Sequence, residues 1–285
     1  MLHVLCYHRV VDGPIGFDRW DLSVSRARFE RQLRVLSNRM PLLNLSTMSL
    51  DEALSAPESY ALITFDDIYA DVVTGALPLI EACGATALLF VSGAFLDRAS
   101  FWWDDLEALH QHLPEPERSQ AIDTLWLWLR DRPLEEKEQT LRHMARLAGP
   151  EPLSRRSRPL RRDELEQLAH HPAVRFGGHT MTHPWLPSLS PAAVEEEIQA
   201  GTDLLRRVTG QEPLAFAYPY GAWSDPSRDA VGRLGYGFAF TTQAPPSPPT
   251  LPEQADKLAY PRLCVGNWTG KGLASRLTRN RHPSC

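Results

Sequence analysis

The sequence predicts an α/β fold, a distorted (β/α) barrel of about seven strands with a helical insertion. The first observation is that short apolar runs with strand character recur along the chain, with amphipathic helical patterns between several of them. The second is that this alternation stops between about 101 and 168, where only helical patterns occur. We therefore expect one domain over residues 1–285, with the insertion on one loop of the barrel.

The predicted strands are short apolar segments that alternate with helical ones, so they should pair in parallel. They are Leu2–Tyr7, Ala61–Phe65, Thr86–Val91, Ala173–Phe176, Leu214–Tyr218, Gly237–Thr241 and Ala259–Val265. One helix is marked at both ends, because Ser190 and Pro191 favour its start and Gly210 favours its end.

The predicted insertion contains three helical segments, "FWWDDLEALHQHL", "SQAIDTLWLWLRD" and "LEEKEQTLRHMARLAG". We expect its tryptophans to pack mainly in a core, because buried aromatic side chains are the common case. The alternative is that Trp102 and Trp103 line a sugar-binding groove. A proline-rich exposed loop is predicted at 243–254.

Composition excludes several classes of protein. The net charge is −5 and no basic stripe is present, so we expect no nucleic-acid partner. The four cysteines, Cys6, Cys83, Cys264 and Cys285, are scattered, which predicts reduced thiols and no cysteine zinc site. The N-terminus reads as a strand, and no apolar run reaches about 18 residues. We therefore expect no signal peptide, no transmembrane segment and a cytoplasmic location.

Two adjacent carboxylates end a predicted strand. Asp66 and Asp67 follow Ala61–Phe65, and in parallel α/β folds functional side chains gather at the carboxyl ends of strands. Taken alone, an aspartate-rich turn or a helix cap explains the pair as well.

Two histidines follow another predicted strand. His179 and His183 are four residues apart in "GGHTMTHPWL", where Pro184 and the glycine pair favour a loop. Two imidazoles and a carboxylate can hold one divalent metal ion. Packed or solvated histidines remain an equal alternative for this spacing alone. A third strand ends in the turn Tyr218-Pro219-Tyr220-Gly221, a weak signal by itself.

Together and in this order, the three stretches resemble the polysaccharide deacetylase superfamily, carbohydrate esterase family four. The corresponding motifs are Thr64-Phe65-Asp66-Asp67, His179-Thr180-Met181-Thr182-His183 and Tyr218-Pro219-Tyr220-Gly221. The resemblance implies a divalent metal, zinc with cobalt or nickel as alternatives, held by Asp67, His179 and His183. It also implies that Asp66 is the general base that takes a proton from water and that the Tyr220 N–H stabilises the oxyanion.

The chain departs from the family pattern in three places. No late Leu-x-His motif supplies the acid, but "LCYHRV" places His8 after the first strand, as in a circularly permuted branch that includes poly-N-acetylglucosamine deacetylases. We therefore assign His8 as the acid, with a structural histidine as the alternative. Ile68 stands where the family has glycine, and Ala217 where many members have an arginine that pairs with the base. Arg262 or Arg9 are candidates to replace that arginine.

The resemblance implies a hydrolase acting on carbon–nitrogen bonds other than peptide bonds, specifically a metal-dependent deacetylase of an N-acetylated sugar or polysaccharide. Without an export signal, we expect a carbohydrate substrate such as a nucleotide-linked or lipid-linked sugar. One alternative is a catalytically impaired pseudoenzyme that binds metal or glycan, which Ile68 and Ala217 would favour. Another is an amidohydrolase that acts on a non-sugar amide.

Overall fold

The computed structural model describes residues 1–112, 118–148, 158–242 and 256–279. The strands are Leu2–Tyr7 (β1), Arg9–Val11 (β2), Ser23–Ser25 (β3), Tyr60–Phe65 (β4), Ala87–Val91 (β5), Val174–Gly178 (β6), Phe216–Ala217 (β7), Ala239–Thr241 (β8), Tyr260–Pro261 (β9) and Leu263–Cys264 (β10). The α-helices are Arg26–Ser37 (α1), Leu50–Ser55 (α2), Leu77–Ala82 (α3), Trp102–Ala108 (α4), Arg118–Arg130 (α5), Leu134–Ala148 (α6), Arg162–Leu168 (α7), Pro191–Thr209 (α8), Asp225–Arg233 (α9) and Gly270–Arg279 (α10).

Eight parallel strands form one sheet in the order β10-β1-β4-β5-β6-β7-β8-β9, which confirms the predicted barrel-like α/β fold. Strands β2 and β3 form a separate two-stranded sheet. The strand interiors are almost continuously apolar and buried, as expected when both faces of a parallel sheet are covered.

The predicted last strand, Ala259–Val265, is two short strands at opposite edges of the sheet. Strand β9 pairs with β8, β10 pairs with β1, and only Arg262 separates them. The Arg262 N–H donates to Thr241 O at 2.8 Å, and the Val265 N–H donates to Cys6 O at 2.9 Å. The chain therefore changes its pairing partner at Arg262, and this segment brings the two sheet edges together.

The described residues between β5 and β6 contain α4, α5, α6 and α7 but no strand of the sheet. Helices α4 to α6 share a core with Tyr69, in which Phe101, Trp102 and Leu106 are almost fully buried. Helix α7 instead packs on α8, and its Leu165 and Leu168 belong to the core around the barrel.

The cysteine expectation needs correction. Cys6 and Cys83 are free thiols, whereas Cys264 is disulfide-bonded, so the expectation of reduced thiols throughout is wrong at Cys264. Wide spacing along the sequence does not exclude a disulfide, because residues far apart in the chain can lie close together in the fold. Cys285 and the predicted proline-rich loop at 243–254 lie outside the described residues. In the part of the chain described, no helix is both long and apolar enough to cross a membrane.

Candidate active site

The predicted site residues come together at the carboxyl ends of the strands. Each follows a strand of the barrel or lies in the loop after it, and together they surround a cavity of about 690 Å³. The lining includes all six predicted residues: His8, Asp66, Asp67, His179, His183 and Tyr220.

Asp67 and the two histidines form a buried triad. The Asp67 Oδ1 atom lies 3.4 Å from His183 Nε2 and 3.6 Å from His179 Nε2. Burial and the neighbouring Asp66 charge raise the pKa of Asp67 well above its usual range. No donor in the described residues reaches Asp67 Oδ1. A buried carboxylate that lacks a donor and adjoins a second carboxylate fits a site for a cation. The donor set of one oxygen and two imidazoles fits zinc.

The histidine rings are oriented for ligation. The His179 Nδ1–H donates to Ala217 O at 2.6 Å, which leaves Nε2 unprotonated and facing Asp67. The ring of His183 packs against Trp103 and Tyr220, with ring centroids 4.9 and 4.5 Å away. Burial lowers the pKa of both histidines, so both are neutral and able to donate a lone pair.

Asp66 lies in a different electrostatic environment. Arg262 donates two hydrogen bonds to it, Nη1 to Oδ1 at 2.7 Å and Nη2 to Oδ2 at 2.6 Å. Burial by itself would raise the pKa of Asp66, but the guanidinium charge and hydrogen bonds outweigh burial and hold that pKa below its usual range. The two adjacent acids therefore differ: Arg262 neutralises Asp66, and Asp67 is left for a cation.

Arg262, and not Arg9, takes the place of the arginine missing at Ala217. The Arg9 Nε donates to Asp71 at 3.4 Å, and its guanidinium lies 5.0 Å from the Tyr69 ring centroid. The sequence named both arginines but could not choose between them. The choice depends on the position of β9 and β10 at opposite edges of the sheet.

His8 lies beside Asp66. One ring nitrogen of His8, the Cys6 thiol and one Asp66 oxygen all lie within 4.8 Å of one another. This group is a poor second cation site, because Arg262 already contacts both Asp66 oxygens and burial raises the pKa of the Cys6 thiol. Burial also lowers the pKa of His8 to about 4, so its imidazole is neutral at pH 7.

Comparison with known proteins decides the family. The family model described as polysaccharide deacetylase matches residues 53–239, which contain five of the six predicted site residues. The chain belongs to the polysaccharide deacetylase family. This confirms the resemblance seen in the three motifs and places the chain in a family of hydrolases acting on carbon–nitrogen bonds other than peptide bonds.

Individual relatives of this deacetylase-family chain are distant. YxkH of Bacillus subtilis (strain 168) is 20% identical over 245 residues, which are 85% of this chain and 64% of that protein. The chain therefore spans less than two thirds of the length of this curated relative. The deacetylase PplD from Streptococcus pyogenes, solved in complex with acetate, aligns over 96% of both chains with 18% identity and a TM-score of 0.62. IcaB from Ammonifex degensii aligns over 96% of this chain and 95% of its own, with 19% identity and a TM-score of 0.62. At this identity the structural matches show the shared fold alone.

Two residues of the site lie outside the range that the family model matches. His8 precedes residues 53–239 and Arg262 follows them, yet both adjoin Asp66. Strand β1 lies between β10 and β4, so the first and last described segments are neighbours in the sheet. This placement is consistent with a permuted strand order, because a nearly closed barrel has no fixed first strand.

Backbone strain is concentrated at the candidate active site. Among the described residues, seven non-glycine residues have positive φ, and five of them lie in the three motifs or beside them. The five are Asp67, Ile68, Thr180, His183 and Tyr220. Ile68 has φ 57°, which is costly for a β-branched side chain, on the order of 1–3 kcal/mol. Its buried side chain in the core around the barrel offsets that cost.

The loop between His179 and His183 is held by a residue that the sequence analysis did not identify. Glu197 on α8 accepts from the Met181 and Thr182 N–H groups at 3.1 and 2.8 Å, and from Thr182 Oγ1 at 2.7 Å. Gly201, one turn later, lets α8 approach the loop, since a Cβ there would lie 2.5 Å from the Thr180 carbonyl. A single glutamate in an acidic helix gives no signal of this role in the sequence.

The insertion supplies one aromatic wall of the cavity. Trp103 of α4 and Trp126 of α5 line it, and Trp20 and Trp185 complete the aromatic lining from the barrel loops. Trp102 is only 1% exposed and belongs to the core of the insertion. Trp103 is 4% exposed and belongs to the same core, but it also lines the cavity, so both alternatives apply to it and only the core alternative applies to Trp102. Trp128 is 46% exposed and is not a core anchor.

Proposed function

We propose that this protein hydrolyses the N-acetyl group of an N-acetylated sugar and uses one divalent cation, zinc, held by Asp67, His179 and His183. The observation that carries the proposal is the asymmetry of the two aspartates. Asp67 Oδ1 is a buried oxygen between two neutral imidazoles and has no donor among the described residues, and Asp66 beside it is an ionised carboxylate. A cation in this site would polarise the amide carbonyl and acidify water.

The residues of the chain would then move one proton from water to the leaving nitrogen. Asp66 takes the proton as water oxygen adds to the carbonyl carbon. His8 is neutral at pH 7, so Asp66 passes this proton on to His8, whose ring nitrogen lies within 4.8 Å of an Asp66 oxygen. When the carbon–nitrogen bond breaks, the electron pair stays on nitrogen and His8 supplies the proton, giving an amine and acetic acid, which ionises to acetate.

The remaining side chains orient the substrate and the catalytic groups. Arg262 donates to both oxygens of Asp66 and so fixes the orientation of this carboxylate. Tyr220 lines the cavity, and its backbone N–H is proposed to stabilise the developing oxyanion. The tryptophan walls support a sugar over a small amide, because sugar rings commonly pack on aromatic faces.

The first experiment measures acetate release from N-acetylglucosamine and its oligomers by the zinc-loaded protein. Asp66→Asn and His8→Ala should each lose roughly 10²–10⁴-fold in kcat, since general acid–base groups contribute that much. Both variants should keep the zinc content of the wild type, because neither residue belongs to the triad. His170→Ala, which changes an exposed histidine outside the cavity, should alter neither property.

Two outcomes would overturn parts of the proposal. Wild-type turnover by His8→Ala would remove His8 from the acid role and place the acid elsewhere. No acetate release from any N-acetylated sugar with zinc or cobalt would favour the pseudoenzyme alternative, which rests on the strained backbone at Ile68. Release of acetate from an aryl acetamide but from no sugar would favour an amidohydrolase.

A further inference from the structure

A second cavity, of about 850 Å³, adjoins the catalytic one. Arg130 and Trp185 line both cavities, and the Arg130 guanidinium lies 3.8 Å from the centroid of the Trp185 ring. This stacked pair is a shared wall between the two spaces. The other walls of the second cavity come from the start of α6, the loop that carries His183, and α8.

A buried lysine faces this second cavity. Lys137 of α6 lines it but is only 1% exposed, and its Nζ lies 4.9 Å from the centroid of the Trp102 ring. In the described part of the chain this ammonium forms no ion pair, and the carboxylates of Asp131 and Glu197 act on it only from a distance. The Trp102 ring face stabilises this ammonium by a cation–π contact, but a buried charge without an anionic partner remains unfavourable.

Among the described residues, no acid around the cavity pairs directly with Lys137. Asp131 accepts from Arg130, Nε to Oδ1, at 2.9 Å. Glu138 pairs with Arg98 and Arg142. Both oxygens of Glu197 accept from the loop between His179 and His183. The other two acids of the lining, Glu135 and Glu196, are exposed to water.

We propose that the second cavity binds an oxyanionic group, a phosphate or carboxylate, that pairs with the Lys137 ammonium. Arg130 at the shared wall is a second donor, and Trp185 offers a flat apolar surface beside it. The anion comes either from a charged sugar that also reaches the catalytic cavity or from a free anion. Only the first case rests on the proposed deacetylase function.

The state of Lys137 in the free protein agrees with a site of this kind. Burial lowers the pKa of Lys137 to about 8, and the charges of Asp131 and Glu197 only partly oppose this shift.

The binding experiment titrates inorganic phosphate into the zinc-loaded protein by calorimetry. Wild type and Lys137→Arg should bind one phosphate, and Lys137→Met, of similar shape but uncharged, should bind at least tenfold more weakly. If phosphate bound at the metal triad instead, Asp67→Asn would abolish phosphate binding and Lys137→Met would retain it. That result, or no binding by wild type, would overturn the proposal.

A labelling experiment tests the site in the wild-type chain, in case Lys137→Met does not fold. The chain has three lysines, Lys137, Lys257 and Lys271. Pyridoxal phosphate, an anionic aldehyde, followed by borohydride should label Lys137 first, and inorganic phosphate should protect it. Lys257, which pairs with Asp51, is the internal control. Equal labelling of the three lysines, without protection, would count against the site.

Acetate release separates the two sources of the anion. If the anion is part of the substrate, Lys137→Met should raise the KM for N-acetylglucosamine 1-phosphate about tenfold and leave the KM for N-acetylglucosamine unchanged. If the anion is free, inorganic phosphate should change the rate with the neutral sugar in wild type only. Phosphate binding without any acetate release would refute the deacetylase function and leave this site standing.

Discussion

At the residue scale, the ion pair between Asp66 and Arg262 is central to the site. Both side chains are buried, at 6% and 0% exposure, and two short hydrogen bonds join them. Removing one partner of a buried pair leaves an uncompensated charge, which typically costs about 3–5 kcal/mol. Arg262→Met should therefore lower the free energy of unfolding by that order, as measured by urea denaturation at pH 7.

The control for this prediction is the double variant Asp66→Asn/Arg262→Met. It replaces the unpaired Asp66 carboxylate with a neutral amide and should recover most of the lost stability, because a neutral amide costs less to bury than a carboxylate. If Arg262→Met alone unfolds at the wild-type urea concentration, the pair does not contribute to stability as argued here.

The sequence identified the residues around the cavity more fully than the residues that orient them. Asp66, Asp67, His179, His183 and Tyr220 stand in short motifs at strand ends, so local spacing places them. Arg262 acts on Asp66 across 196 residues of chain, and that proximity depends on closure of the sheet. Side chains that act through tertiary contacts leave no local pattern in a single sequence.

At the element scale, α8 holds the loop that carries His183. Glu197 accepts three hydrogen bonds from this loop without belonging to the triad. Glu197→Ala should therefore weaken zinc affinity by roughly 10–100-fold, the usual effect of removing a group that orients metal ligands. Competition with a chromophoric chelator would measure it.

The neighbouring Glu196 provides the matched control. It lies on the same helix and is exposed, so Glu196→Ala should keep the wild-type zinc affinity. Equal loss in both variants would indicate a general effect of helix charge, and no loss in Glu197→Ala would show that the loop holds its shape unaided.

Helix α7 provides a prediction about pH. Glu164 accepts two hydrogen bonds from Arg158 and one from the Arg161 N–H, and these partners lower the pKa of Glu164 to about 2. A carboxylate whose pKa is lower in the folded than in the unfolded protein stabilises the fold at pH values above its unfolded pKa, which is about 4.5. This stabilisation is lost as the pH falls towards 2.

Glu164→Gln should therefore cost on the order of 1 kcal/mol at pH 7 and progressively less as the pH falls from about 4.5 towards 2. Urea unfolding of wild type and variant across that range would show the convergence. Glu166→Gln, an exposed change on the same helix, should have little effect at any pH. A constant difference between wild type and Glu164→Gln over this range would remove the ion pair as the cause.

At the scale of the whole molecule, the sheet is brought together by one short segment. Strands β9 and β10 occupy opposite ends of the strand order and are consecutive in the chain. The sequence predicted a strand there because the apolar run from Ala259 to Val265 has strand character. It could not show the split, because pairing with β8 on one side and β1 on the other is decided by sheet curvature.

The prediction for the whole molecule concerns the coupling of zinc binding to folding. Asp67 follows β4, whereas His179 and His183 follow β6, so zinc would bind only when these strands are assembled. A ligand that binds only the folded state stabilises it by about 2.7 kcal/mol at one hundred times its Kd. For a domain of this size class that corresponds to a rise in Tm of about 5–10 °C.

Scanning calorimetry of the metal-free protein with and without zinc measures this shift. His8→Ala should keep the shift, and His183→Ala should lose it, because only His183 belongs to the triad. The shift should also shrink as the pH is lowered, since protons compete for the histidines and for Asp67, whose pKa is raised by burial and by Asp66. If His183→Ala kept the zinc-dependent rise in Tm, the metal would bind elsewhere in the molecule. The chemistry proposed at the triad would then be wrong.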